Sequence, residues 1–145
     1  MRLYLDTSAL VKRYVVEQGS SETIEMVGRA ELVATSLISR TEVAAAVAKA
    51  VRLGLHRETG RTAQGTFLSH WPFFVRIPVT EALVSRADTL AWDYALRAYD
   101  AVQLASALTW QESLGAPVTL ATFDRELWEA SQKAGLLVWP AKLVR

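Results

Sequence analysis

Five short runs of apolar, β-favouring residues, Leu3–Leu5, Leu32–Thr35, Phe74–Ile77, Val118–Ala121 and Leu136–Val138, are separated by longer stretches with helical, amphipathic patterning. A strand that is apolar on both sides has to be covered on both faces. A connection long enough to hold a helix joins parallel neighbours. The expected fold class is therefore α/β: an open, mostly parallel, twisted sheet of four to five strands with helices on both faces, in three layers. With 145 residues, of which 51% are hydrophobic, the chain has the material for one core, and a single domain over 1–145 is expected. Ligands of such sheets bind in the crevice outside the carboxyl ends of the strands.

Helix boundaries can be read between these runs. Thr7 or Ser8 is expected to cap a helix reaching about Tyr14, and Ser20 or Ser21 one reaching about Val27, stopped near Gly28. Ser39 and Glu42 have capping-box spacing ahead of a helix that runs to about Leu53. Thr80 opens a long helix over 81–96, Asp100 opens the next through about Ser113, and Asp124 opens the last, closed by Gly135. The stretch from Arg57 to His70 reads as helical, although Gly60 and Gly65 each cost about 1 kcal/mol relative to Ala. There is no internal repeat and no linker-like segment.

Composition narrows the chemistry. Without cysteine there are no disulfides or thiolate metal sites, in keeping with a reducing cytoplasm. No apolar run approaches the ~18 residues that span a bilayer. The first strand begins within two residues of Met1, which leaves no room for a secretory leader, so a cytoplasmic protein is expected. A net charge of +1 gives no broad field for polyanions, so any phosphate contacts would fall to Lys12, Arg13, Arg40, Arg97 and Arg125, which lie near the acidic motifs described below. His56 and His70 lie outside any motif, and the glycines form no phosphate loop. Trp92, Trp110 and Trp128 fall at apolar helical spacing, which points to core packing.

Four acids stand where an apolar run gives way to a helix: RLYL-Asp6-TSAL, SLISRT-Glu42-VAAAV, LRAY-Asp100-AVQLASAL and TLATF-Asp124-REL. Each has a structural reading, as a helix cap or, for Glu42, as half of a capping box. Together they have another. Carboxylates gathered at strand ends without paired lysines repel one another unless a hard cation joins them, and Mg²⁺ and Mn²⁺ favour such an all-oxygen set. A phosphodiester is a natural substrate for that arrangement. Thr7, Ser8 and Thr122 are placed to orient the carboxylates by hydrogen bonding.

The segments MRLYLDTSALVKRY, SLISRTEVAAA, LRAYDAVQLASAL and VTLATFDRELWEASQKAGL resemble, in order and spacing, the motif blocks of PIN-domain proteins, particularly VapC-type toxins of toxin–antitoxin pairs. The resemblance implies a metal-dependent endoribonuclease in which Asp6, Glu42, Asp100 and Asp124 bind Mg²⁺, with Mn²⁺ as substitute, and cut RNA. It also implies a homodimer neutralised by an antitoxin protein. The Ala-rich helix 43–51 and the 57–74 segment, with an exposed aromatic cluster at Trp71–Phe74, are the expected partner groove. Three other readings remain open on sequence alone. One is a housekeeping PIN-type nuclease acting on RNA or DNA without an antitoxin. Another is a binding module in which the acids are only caps. The third is a phosphatase-like domain with Asp6 as nucleophile, which would want a second Asp two residues on, where this chain has Ser8.

Overall fold

A computed structural model of the chain describes residues 1–143. Among the described residues there are five strands and seven helices: β1 (Arg2–Leu5), α1 (Thr7–Lys12), α2 (Ser20–Arg29), β2 (Leu32–Ser36), α3 (Ser39–Arg52), α4 (Arg57–His70), β3 (Val75–Ile77), α5 (Glu81–Tyr94), α6 (Ala98–Leu114), β4 (Thr119–Ala121), α7 (Arg125–Lys133) and β5 (Leu137–Trp139). A 3₁₀ turn, Trp71–Phe73, leads from α4 towards β3. The sheet has the order β3-β2-β1-β4-β5, and every pairing is parallel. Each strand falls within one residue of its sequence-read boundary at either end, and the expected α/β class holds.

Strand alternation divides the core. Tyr4 pairs in register with Ala34 on one side and Leu120 on the other. These three point to the face covered by Leu83, Leu90, Leu104, Leu108 and Leu127 of α5, α6 and α7. Leu3, Leu5 and Ala121 point the opposite way, onto Leu10, Val43, Val47 and Phe67 of α1, α3 and α4. Helices thus lie on both faces of a sheet whose side chains alternate with period two.

The topology fixes where function sits. From central β1 the chain moves to β2 and β3 on one side, then returns to β4 and β5 on the other. The order reverses between β1 and β4, and it is there that the carboxyl ends open a crevice. Asp6 follows β1, and Asp124 stands three residues after the end of β4.

Several local expectations are corrected. Asp6 caps α1, ahead of Thr7 and Ser8, because its extended backbone aims the carboxylate at the Ala9 N–H. Gly19, at φ +91°, precedes α2, which runs on through Gly28 to Arg29. Ser39 lies inside α3 and bonds Thr35, so the capping box with Glu42 does not form. Asp100 is the third residue of α6 and does not cap it. Trp71 and Phe74 are buried against Phe67, so the expected aromatic surface is mostly core, with Phe73 alone exposed. Trp110 is buried as expected and Trp128 is half-buried, its indole N–H bonding the Pro140 carbonyl at 2.8 Å, whereas Trp92 is 90% exposed on the outer side of α5.

Candidate metal centre

Asp6 is the deepest of the four acids, 3% exposed at the end of β1. Its Oδ1 accepts from the Ala9 N–H at 2.9 Å and from the Ser8 hydroxyl at 2.8 Å, and its Oδ2 accepts from the Thr122 hydroxyl at 2.6 Å. Burial pushes its pKa up from 3.8 to about 7, against the pull of those three donors and with a further push from the Asp100 charge. The same two hydroxyls organise the facing loop. The Phe123 N–H donates to Ser8 Oγ at 2.9 Å, and the Asp124 N–H donates to Thr122 Oγ1 at 3.0 Å. The hydrogen bonds expected from Ser8 and Thr122 to the Asp6 carboxylate are thus present. Thr7 only accepts a long 3.4 Å bond from Gln103.

Asp124 divides its two oxygens. Oδ1 caps α7 through the Leu127 N–H at 3.0 Å, and Oδ2 accepts from Arg97 Nη2 at 3.0 Å. Arg97 also reaches Asp100 Oδ2 with Nε at 3.3 Å, so one largely exposed guanidinium bridges two acids. The Asp100 pKa is raised, first by burial and then by the Asp124 charge. Arg97 opposes that rise, and Glu42 adds to it. Glu42, in the first turn of α3, accepts from Gln103 Nε2 at 2.7 Å. Its charge raises the pKa of both Asp100 and buried Tyr4, which places it in the same field as the other acids.

All four sequence-read acids therefore gather at the carboxyl edge of the sheet, where Asp100 is coupled electrostatically to each of the other three. Asp6 and Asp124 are caps as well; Glu42 and Asp100 are not. As the side chains stand, no three His, Cys, Asp or Glu residues among the described residues are disposed to hold an ion. Each acid is instead turned to a protein donor: hydroxyls for Asp6, an amide for Glu42 and the guanidinium for Asp100 and Asp124. The donor set itself suits a hard divalent cation. It is oxygen only, carries four carboxylates against one bridging arginine, and includes a buried carboxyl whose ionised form lacks a cationic partner.

Sequence reading missed two participants. Gln103 meets Glu42 with its amide nitrogen and Tyr4 with its oxygen, all three on elements remote in the chain, and the available signal was a long amide set inside the apolar run AVQLASAL. Among the other cations, Lys12 sits over the Phe123 ring and pairs with Glu17, and Arg125 pairs with Glu129. Of the histidines, His56 caps α4 and His70 bonds the Tyr14 hydroxyl at 2.9 Å.

The chain matches the PIN domain over residues 3–133. It is 34% identical over 143 residues to "Ribonuclease VapC45" of Mycobacterium tuberculosis, covering 97% of this chain and 96% of that protein. Among solved structures, "Structure of FitAB bound to IR36 DNA fragment" aligns with a TM-score of 0.68 at 19% identity, covering 94% of this chain and 93% of the other. "Toxin-antitoxin complex from Klebsiella pneumoniae" aligns with a TM-score of 0.61 at 20% identity, covering 86% and 87%.

Proposed function

The chain belongs to the PIN-domain family, and from that premise we propose that it is a divalent-metal-dependent endoribonuclease, the toxin of a type II toxin–antitoxin pair. The observation that carries the reading is Asp6: a buried carboxyl, held by three donors, set at the switch point of a parallel sheet beside three more acids. The 34% identical relative named a ribonuclease, and the aligned complex named toxin–antitoxin, support the substrate class and the partner.

In this reading Asp6, Glu42, Asp100 and Asp124 hold Mg²⁺, or Mn²⁺ in its place. The ion supplies charge neutralisation of the phosphodiester and activation of the attacking water. The protein's own groups do the rest. Ser8 and Thr122 keep the Asp6 carboxylate aimed at the crevice, and the Leu127 N–H at the start of α7 holds one oxygen of Asp124 in place. Arg97, exposed at the rim, offers its guanidinium to a substrate phosphate once the acids have a stronger counter-charge. The protein acts in the cytoplasm as a homodimer with a cognate antitoxin. No helix among the described residues is long and apolar enough to cross a membrane.

The test is cleavage of a single-stranded RNA by purified protein with Mg²⁺, with Mn²⁺ and in excess EDTA, alongside a folded Asp100→Asn variant. Cleavage by the wild type with metal, and its loss in EDTA and in the variant, are expected. Undiminished cleavage in EDTA contradicts the proposal. Growth arrest on expression without a partner, relieved by Asp100→Asn, is the expected outcome for the toxin role, and harmless expression of the active chain contradicts it.

A further inference from the structure

Three of the four acids are fixed by capping or by Arg97, whereas Glu42 is held by the side chain of Gln103. Gln103 is 2% exposed and lies on α6, a helix otherwise buried through Leu104, Ala105, Ala107 and Leu108. An apolar residue would satisfy that environment without the desolvation cost of an amide. The amide instead uses both its ends. Its oxygen accepts from the Tyr4 hydroxyl at 2.5 Å, and its nitrogen donates to Glu42 Oε1 at 2.7 Å and Ser39 Oγ at 3.0 Å. Ser39 is anchored in turn to Thr35 at 2.7 Å. Reversing the amide would set its oxygen against the Glu42 carboxylate, so the Tyr4 bond and the Glu42 charge select one orientation.

We propose that Gln103, braced by Tyr4, is a positioning residue that presents the Glu42 carboxylate to the cation shared by the four acids. The inference rests on the reading of Glu42 as a ligand given above. One carboxylate oxygen is held by the amide, leaving the other for the cation. Partners behind the ligands of a metal site set ligand orientation in this way, and their loss weakens metal affinity by about 10–100-fold.

The experiment is titration of metal-free protein with Mn²⁺, read by electron paramagnetic resonance of the free ion, with thermal melts in EDTA as the control for folding. The variants are Gln103→Met, close to isosteric, Tyr4→Phe, the two combined, and Glu42→Gln. Gln103→Met is expected to weaken Mn²⁺ binding about tenfold. Tyr4→Phe is expected to weaken it less, and the double variant no more than Gln103→Met alone, since Tyr4 acts through the amide. Wild-type affinity in Gln103→Met, whatever its melting temperature, overturns the inference if Glu42→Gln binds weakly. Wild-type affinity in Glu42→Gln shows instead that Glu42 is not a ligand, and the inference falls with that assignment. Should Gln103→Met not fold, Tyr4→Phe decides: unchanged affinity overturns the bracing role.

Discussion

At Asp6 the folded and unfolded chains compete for a proton. The folded pKa of about 7 lies above the unfolded 3.8, so the folded state holds its proton more tightly. Well below the unfolded value of 3.8 both states are protonated and the group costs nothing. As pH rises towards 7 the unfolded chain ionises first, and stability falls by an amount on the order of a few kcal/mol, levelling off above the folded value. The raised Asp100 acts in the same direction. Urea unfolding of metal-free protein between pH 4.5 and 7.5 is therefore expected to show declining stability, with a shallower decline in Asp6→Asn; parallel profiles would contradict this account of Asp6. Arg97 makes a second prediction at this scale. It is the cation that bridges Asp100 and Asp124, so Arg97→Ala is expected to lower the melting temperature in EDTA and to tighten Mn²⁺ binding several-fold. Weaker Mn²⁺ binding in that variant would mean that the guanidinium assists the ion rather than competing with it.

Among the elements, the α3–α4 pair shows how far local rules reach. Gly60 and Gly65 have the same helix propensity, and sequence gives no reason to separate them. In the fold they differ. A Cβ at Gly60 would lie 2.7 Å from Val51 Cγ2, whereas nothing lies within 4 Å of one at Gly65. Gly65→Ala is accordingly expected to stabilise by up to about 1 kcal/mol. In Gly60→Ala the same propensity gain is set against overpacking of about 1–3 kcal/mol, and a net loss is expected. Chemical denaturation of the two variants checks both signs, and equal effects would show that α3 and α4 do not approach as described. The strands and most helix extents were legible because apolar periodicity and local breakers set them. The capping box at Ser39 was not, because the Ser39 hydroxyl is engaged by Thr35 at the end of β2 and by Gln103, which meets it only through tertiary structure. Trp92 also misled, since its spacing is helical but its side of α5 faces outward.

For the whole molecule, parallel topology gathers acids separated by up to 118 positions at one edge of the sheet. Their identities could be read from sequence because each sits beside a strand end or in the first turn of a helix. Their partners could not. Gln103 meets Glu42 across 61 positions and Thr122 meets Asp6 across 116, with no local pattern to announce either pairing. The proposed homodimer is checked by sedimentation at micromolar concentration, where a monomer alone would contradict it. The central claim is that the four carboxylates form one cation site. It is tested most directly by thermal melts of the wild type and of Asp100→Asn, each in EDTA and in saturating Mn²⁺. A ligand bound at a hundredfold excess over its Kd stabilises by about 2.7 kcal/mol. The wild type is predicted to gain a melting shift of that order, and Asp100→Asn much less. Equal Mn²⁺ shifts in the two proteins would contradict the claim.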